Sequence, residues 1–312
     1  MFSDRTRFSA AELLAESFPE PDWVLPGLLP LGLTLMLGPT TLDKTALALG
    51  LALAVSSGTP ILDMAPAAPS AVLYIALDEN PRLLQHRLRA MLSNGTSPGT
   101  LDLWTDCPAL DAGGMRDLVA WVRERHDPRL IAIDAMPGIM PSTFARLPAH
   151  DREGATLAAF ALLARRLQVA VLVLHHRHVA RAEDINSVLS GRSALSRAAD
   201  AVLILEPSRG HQHAILHVAG PGVLPHRLGL AWDSTTRSWI EAGLPAEPPL
   251  SETRQAILSA LRSAPGPLQP RDIAAATGLN SVTVRGHLRK MARAGQVLSH
   301  GPGRYALPGR TQ

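Results

Sequence analysis

The sequence predicts an α/β domain with a mainly parallel sheet and an antiparallel edge, followed by a small helical domain. Short apolar runs alternate with amphipathic stretches through about the first two hundred residues, which is the βαβ pattern of a parallel sheet covered by helices. Shorter strand-like pieces with polar turns follow, as expected for an antiparallel extension. The last sixty or so residues differ in charge and in pattern, so they are expected to form a separate unit.

Five apolar runs of strand length carry no charged residue, and such runs are typical of strands buried on both faces of a sheet. They cover residues 33–37, 72–77, 130–133, 169–174 and 201–205. Amphipathic stretches with the length of crossover helices lie between them, at residues 81–92, 114–125 and 152–167. After the fifth run, the segments HAILHVAG, HRLGLAWD and RSWIEAG predict the antiparallel edge.

Charge divides the chain near residue 250. Residues 251–312 contain 9 Lys and Arg against 2 Asp and Glu, a net charge of +7, while the whole chain carries only +3. Clustered positive charge indicates nucleic-acid binding, although a basic surface can also be merely solvated. The segment GLPAEPPL between the two parts disfavours regular structure. We therefore predict an arm at 1–26, an α/β domain at 27–242, a linker at 243–250 and a basic helical domain at 251–308.

Composition excludes several classes of protein. The chain is 46% hydrophobic and 18% charged, as is usual for a globular protein. The longest apolar stretch, 28–55, is interrupted by Asp43 and Lys44, so its pieces are shorter than the roughly 20 residues of a membrane span. The N-terminal residues carry both signs of charge and lack the apolar region of a secretory signal. The single cysteine, Cys107, permits no internal disulfide. These observations predict a cytoplasmic protein with no membrane partner.

The loop after the first predicted strand carries the strongest chemical signal. Residues 38–45 read GPTTLDKT and precede a long apolar helix. Strand, loop and helix in this order are the context of a Walker A phosphate loop, in which backbone N–H groups hold the phosphates, the lysine neutralises them and the Ser/Thr hydroxyl binds Mg²⁺. Only two of the thirty basic residues are lysines, Lys44 and Lys290, and the first stands at the lysine position of the motif. We therefore predict an ATP site formed by Gly38, Asp43, Lys44 and Thr45.

Asp43 departs from the Walker A pattern, which has glycine at this position. If the carboxylate faced the phosphates at about 4 Å, it would repel them by about 4 kcal/mol at an effective dielectric near 20, which is nearly three decades of affinity. Alternatively, it caps the helix that begins at Lys44, since aspartate is a preferred N-cap residue. Mg²⁺, Lys44 or a rotamer directed away from the site would also relieve the repulsion. The sequence therefore leaves both retained and lost ATP binding open.

Carboxylates follow two of the other predicted strands. Asp134 ends the apolar run LIAIDAM, which is the form of a Walker B motif whose carboxylate holds Mg²⁺ together with Thr45. Asp78 and Glu79 follow the run VLYIAL, at the edge where open α/β sheets bind their ligands. One of these two would orient the attacking water as a general base, and the alternative is a solvated loop.

Five segments in this order resemble the RecA-like ATPases related to RepA-type plasmid replicative helicases. The segments are WVLPGLLPLGLTLMLGPTTLDKT, VLYIALDEN, LIAIDAM, AVLVLHHRHVA and SGRSALSRAADAVLIL, and the resemblance spans residues 22–241. It implies a RecA-like fold, a hexameric ring with nucleotide at the subunit interfaces, and ATP-driven work on single-stranded DNA. It also implies that His175 senses the γ-phosphate, while an ordinary polar role for His175 and His176 stays open.

Three positions depart from these relatives. Asp43 replaces glycine, the pair Asp78 and Glu79 reverses the usual Glu-Asp order, and Pro221 stands where relatives usually carry an arginine. The last departure removes an expected source of positive charge supplied to a neighbouring subunit. Three arginines remain as candidates for that role or for interface and DNA contacts, namely Arg192, Arg197 and Arg209.

The basic domain resembles a winged helix. Helices are predicted at 253–262, 271–277 and 281–294, with a tight turn at 278–279 and Ser281 as the N-cap of the third helix. The apolar spacing places six residues in a shared core, namely Ile273, Ala274, Leu279, Val284, Leu288 and Met291. Residues 296–307 suit a β wing that turns at 301–303.

The third helix of this domain is the candidate DNA-reading element. Four of its residues are expected to face the major groove, namely Ser281, Thr283, Arg285 and Arg289. Three further residues are expected to contact phosphates, namely Lys290, Arg293 and Arg304. Winged helices also dock proteins, but the charge of this domain favours DNA.

Taken together, the sequence predicts a DNA-binding ATPase with a degenerate Walker A motif, acting in the replication or maintenance of a plasmid, phage or integrated element. Its cofactors would be ATP and Mg²⁺, and its partners would be DNA and further copies of itself in a ring. The alternative is a non-hydrolysing DNA-binding regulator or scaffold whose ATPase core has decayed. Asp43 is the residue that distinguishes the two hypotheses.

Overall fold

The computed structural model describes most of the chain, in two compact units. It describes residues 8–16, 22–92, 95, 97–175, 198–208, 213–244, 252–264, 266–293, 295–300 and 303–308. The described residues up to 243 belong to the first unit, and those from 244 onwards belong to the second. Most of the predicted linker, 245–250, lies outside the described residues, as do His176, Arg192, Arg197 and Arg209. In the described part of the chain, none of the helices combines the length and the apolar character needed to span a membrane.

The first unit contains a nine-stranded sheet within its described residues. The strands are β3 Gly32–Leu37, β4 Ala71–Ala76, β5 Leu101–Trp104, β6 Pro128–Asp134, β7 Ala170–His175, β8 Ala201–Pro207, β9 His213–Gly220, β10 Val223–Asp233 and β11 Ser238–Glu241, while β1 Trp23–Leu25 and β2 Leu29–Pro30 form a separate hairpin. Their order across the sheet is β11-β10-β9-β8-β3-β7-β6-β4-β5. The strands from β8 to β5 are parallel, and β9, β10 and β11 extend the sheet antiparallel. The predicted fold class is confirmed.

The central strands form where the sequence has uninterrupted apolar runs. Every residue of β3, β4 and β7 is buried, as expected for parallel strands covered on both faces. The predicted strands match the observed ones to within one or two residues at most ends. Two elements were missed, β5 and the β1–β2 hairpin, because each is too short to show a clear period.

Five helices accompany these strands. They are α1 Ala10–Ala15, α2 Lys44–Ser57, α3 Pro81–Met91, α4 Gly114–Glu124 and α5 Ala149–Leu167. Helix α2 is buried along almost its whole length, so it is apolar on all sides rather than amphipathic. Helix α3 begins with proline at its first position, and the Asn80 side chain caps it by accepting the Leu83 N–H at 3.0 Å.

The second unit is a three-helix bundle with a β wing. Its elements are α6 Glu252–Ser263, α7 Pro270–Thr277, α8 Ser281–Arg293, β12 Leu298–Ser299 and β13 Tyr305–Ala306. Ile273, Val284, Leu288 and Met291 are fully buried in its core, and Ala274 and Leu279 pack against them, as predicted. β12 and β13 pair antiparallel, and two residues of the predicted wing turn, 301 and 302, lie outside the described residues.

The predicted N-cap of the third helix was wrong. Helix α8 begins at Ser281 itself, and the preceding residue, Asn280, accepts the Val282 N–H at 2.8 Å through its side chain. Asparagine caps helices as well as serine does, so the capping rule applies one residue earlier than predicted.

Candidate functional site

The predicted ATP-site residues meet at one edge of the sheet, where the parallel strands end. Gly38 follows β3, Glu79 lies three residues beyond β4, Asp134 ends β6 and His175 ends β7. The carboxyl ends of parallel strands share an edge, which is where open α/β sheets bind ligands.

Thr45 and Asp134 are in direct contact at this edge. The Thr45 hydroxyl donates a hydrogen bond of 2.7 Å to Asp134 Oδ2. The Tyr74 hydroxyl donates a second bond of 2.7 Å to the same oxygen. Asp134 is only 2% exposed, so these two donors hold a buried carboxylate in one orientation.

Tyr74 is a site residue that the sequence reasoning missed. It is fully buried in the middle of β4, where the pattern of the strand makes it look like an ordinary apolar residue. Burial raises its pKa well above the ordinary value, and the negative charge of Asp134 adds to this effect. The phenol therefore stays protonated and acts as a donor. A buried tyrosine needs a partner for its hydroxyl, and that requirement was the available signal.

Lys44 is turned onto its own loop. Its ammonium group donates a hydrogen bond of 2.9 Å to the Pro39 carbonyl, and the residue is 2% exposed. The Leu42 N–H donates to the same carbonyl at 3.3 Å, which closes the loop into a turn. Burial lowers the pKa of Lys44, and the charges of Asp134 and Asp43 oppose this. An anionic phosphate would solvate this cation better than a carbonyl does.

Gly38 is required for the path of the loop. A Cβ atom at this position would lie 2.7 Å from the carbonyl oxygen of Leu205, on the neighbouring strand β8. Real Cβ atoms are essentially never this close to a backbone atom. The loop therefore leaves β3 along a path that only glycine permits.

Asp43 caps helix α2, as one of the two interpretations of the sequence predicted. Its Oδ1 accepts the Ala46 N–H at 2.9 Å, and its Oδ2 accepts a bond of 2.7 Å from Arg87 Nη1. The carboxylate therefore lies on the N-terminal N–H groups of α2, which is where a Walker A loop binds phosphate. A cation on α3 neutralises it.

Arg87 joins Asp43 to Glu79. Its Nε donates a bond of 2.7 Å to Glu79 Oε1, and only 13% of its side chain is exposed. Burial acts to lower the pKa of Arg87, but the hydrogen bonds and charges of the two carboxylates outweigh it and raise the pKa. Sequence reasoning did not select this residue, because it lies 44 positions from Asp43 on an otherwise basic helix.

The two carboxylates after β4 differ in environment. Asp78 is exposed, while 10% of the Glu79 side chain is exposed. Burial raises the pKa of Glu79 above its ordinary value, although Arg87 opposes this. Glu79 Oε2 has no hydrogen-bond partner among the described residues. His175 is buried at the end of β7, with Nε2 3.3 Å from Glu153 Oε1.

Strand β11 also reaches the loop. The indole N–H of Trp239 donates a bond of 2.9 Å to the Asp43 carbonyl. Pro221 lies exposed in the turn between β9 and β10. The antiparallel edge therefore contacts the phosphate loop through a residue that the sequence reasoning did not select.

Most of the predicted DNA-contacting side chains are exposed on the second unit. The exposed ones are Thr283, Arg285, Arg289, Lys290 and Arg304, while Ser281 is half-buried. The Arg293 side chain is outside the described residues. Sequence reasoning did not select Val282, although it is 73% exposed on the same helix.

Comparisons with known proteins agree with this architecture. A family model for the AAA domain matches residues 3–182, and one for the bacterial regulatory protein, arsR family, matches residues 251–298. A solved ATPase domain of a replicative helicase is 15% identical, with a TM-score of 0.53, over 68% of this chain and 85% of that one. The RadB recombinase structure is 16% identical, with a TM-score of 0.46, over 69% and 93%.

No curated protein matches the chain. The likeness to the helicase ATPase domain and the two family models confirm a RecA-like fold of the helicase type with a C-terminal winged helix-turn-helix. Because the AAA domain model matches more than half of the sequence, the chain belongs to the AAA domain family.

Proposed function

We propose that this protein is an ATPase of the RecA-like helicase type that binds ATP with Mg²⁺ and acts on DNA. The observation that carries the proposal is the 2.7 Å contact between Thr45 and Asp134 beside the buried Lys44. A hydroxyl and a carboxylate at the end of a phosphate loop are the oxygen ligands that Mg²⁺ prefers.

The residues present fit a bound nucleotide with its metal. Lys44 would exchange the Pro39 carbonyl for phosphate oxygens, and Thr45 and Asp134 would hold Mg²⁺. Bound Mg²⁺ would supply positive charge that neutralises the phosphates. Tyr74 fixes the Asp134 carboxylate from behind.

Three further residues would complete the catalytic set. Glu79 has the raised pKa expected of a general base, and one of its oxygens has no partner among the described residues. The exposed Asp78 is the weaker candidate for this role. His175, at the end of β7, would contact the γ-phosphate.

The biological setting follows from the resemblance of the five motifs to RepA-type plasmid replicative helicases. It supports a homo-oligomeric ring, a hexamer, and a role in the replication or maintenance of a plasmid, phage or integrated element. Work on such DNA would take place in the cytoplasm. The winged helix, with its positive charge, would bind duplex DNA, and the core would bind single strands.

A specific observation favours a second candidate function, a DNA-binding regulator or scaffold that does not hydrolyse ATP. The Asp43 carboxylate accepts the Ala46 N–H at the start of α2, so a side chain of the protein already lies where phosphate would bind. The degenerate Walker A motif would then be a stable structural cap.

Nucleotide titration of the full chain with and without Mg²⁺ tests the proposal. Wild type should bind ATP more tightly with Mg²⁺, and Thr45→Ala should lose at least about tenfold of that Mg²⁺-dependent affinity, as is usual when a group that holds a metal is removed. Thr100→Ala is the matched control, because it also removes one hydroxyl with a 2.8 Å bond but lies at the opposite end of β4. Equal, Mg²⁺-independent binding by wild type and Thr45→Ala would favour the decayed core.

Duplex binding should depend steeply on salt. Lys290→Ala should lower the slope of log K against log salt by roughly 0.9 per lost phosphate contact and leave sequence preference unchanged. Arg285→Ala should relax preference at one position of the site if it contacts a base. Arg262→Ala, an exposed arginine on α6, serves as the control. Salt-insensitive binding by the wild type would indicate a protein-docking domain instead.

A further inference from the structure

Helix α8 has two opposite faces, which its buried residues define. Val284, Leu288 and Met291 are fully buried and form the inward stripe. With 3.6 residues per turn, the stripe directly opposite consists of positions 282, 286, 289 and 293. The outermost residues of the helix are therefore Val282, Gly286 and Arg289, and Arg285 and Lys290 flank them.

Gly286 lies in the middle of this helix without a structural reason. A glycine in a helix interior is less stable than alanine by about 1 kcal/mol. A Cβ atom at position 286 would meet no atom within 4 Å among the described residues, so packing in the second unit does not require glycine. What glycine does permit is the close approach of the helix backbone to another molecule.

Val282 is 73% exposed, one turn before Gly286 on the same stripe. Single exposed apolar residues are common, but this one lies in the first turn of the second helix of a helix-turn-helix, where residues contact base edges. Cations surround it, since Arg285, Arg289 and Lys290 are all exposed on the same helix. An apolar group among cations matches a surface that is both anionic and locally apolar.

The major groove of DNA has both properties, because phosphates line it and thymine methyl groups project into it. We propose that Val282 and Gly286 are the specificity-determining centre of the DNA surface: Val282 contacts thymine methyl groups, and Gly286 lets the helix backbone approach the base edges. The flanking cations contact guanine edges and phosphates. This inference rests on the proposal that the second unit binds duplex DNA.

The test uses the full chain and duplexes selected from a random pool, with affinities measured by fluorescence anisotropy. The selected site should contain thymine, and replacing each contacted thymine with uracil should weaken wild-type binding about fourfold, the value of one buried methyl group. Val282→Ala should bind thymine and uracil duplexes equally. The control Leu224→Ala, which removes an 87% exposed side chain of β10, should keep the wild-type preference for thymine.

Gly286→Ala gives a second and independent readout. It should weaken binding at least about tenfold, because lifting the helix lengthens contacts to base edges. The same change should raise the thermal midpoint of the second unit by a few degrees, since alanine favours the helix. A purely structural role would not produce these opposite changes. Gly154→Ala is the matched control: it also fills open space in a helix, but on α5.

Two sets of outcomes would overturn the inference. If wild type selects a duplex and Arg289→Ala weakens it, but Gly286→Ala binds normally, or uracil replaces thymine without loss, or the site lacks thymine, only this inference fails. If no duplex is enriched and Arg289→Ala has no effect, the proposed DNA binding fails as well, and this helix face would dock a protein.

Discussion

Phosphate release by the full chain is expected to be about 10³- to 10⁵-fold slower than that of a related ATPase that receives an arginine from the neighbouring subunit. Pro221 stands where such relatives usually carry this arginine, and it lies exposed in a turn with no cation of its own. Arg87, the cation that does lie beside the phosphate loop, is held by Asp43 and Glu79. Turnover should therefore be low even where ATP binds, and single-stranded DNA should stimulate it little.

The measurement is steady-state phosphate release with and without single-stranded DNA, with Lys44→Ala as the blank. Lys44→Ala removes the buried ammonium group without adding any catalytic group, so its rate defines the background. Fast release that DNA stimulates and Lys44→Ala abolishes would contradict the expectation. It would exclude the decayed core and mean that another arginine supplies the charge.

Removing the charge of Asp43 should strengthen ATP binding by about one to three decades. The range corresponds to a Coulomb repulsion that is fully screened by water or only partly screened. Asp43→Asn is the informative variant, because asparagine keeps the cap on α2 while the negative charge is lost. Asp43→Gly should give a similar gain, and its weaker cap should cost a few tenths of a kcal/mol in stability.

Arg87→Ala should change affinity in the opposite direction. Coulomb energies add, so removing the cation that neutralises Asp43 leaves its repulsion of the phosphates in place. The double variant Asp43→Asn/Arg87→Ala should lie close to wild type, and a double-mutant cycle measures this compensation. Arg89→Ala is the control, because it removes an exposed arginine from the same helix.

Isothermal titration of ATP into the four proteins gives the affinities, and circular dichroism confirms that each is folded. Equal affinities for wild type, Asp43→Asn and Arg87→Ala would mean that the carboxylate does not face the phosphates. A fall in affinity for Asp43→Asn would mean that the carboxylate assists the nucleotide instead.

Local pattern was enough to predict most of the fold. Central strands such as β3 and β7 are uninterrupted apolar runs, and burial on both faces requires that composition. The capping role of Asp43 also followed from local chemistry, since a carboxylate before a helix finds the N–H groups of its first turn. β5 was missed because its four residues are only partly buried and show no period.

The missed site residues depend on tertiary structure. Arg87 is one of several basic residues on α3, and only the packing of this helix brings it to Asp43. Tyr74 meets Asp134 because β4 and β6 are neighbours in parallel register, with Tyr74 opposite Ala132. Sequence spacing contains neither relation, because each depends on which elements become neighbours in the sheet.

The bond from Trp239 to the Asp43 carbonyl has a consequence for dissecting this protein into fragments. The strand that carries Trp239 is the last of the sheet, 196 residues after the loop it supports. A fragment that stopped after the parallel strands would still contain every recognisable nucleotide motif, yet the backbone of its phosphate loop would have lost a fixed partner. The smallest excisable motor therefore ends no earlier than Glu241, and the antiparallel strands are part of the engine rather than an appendage.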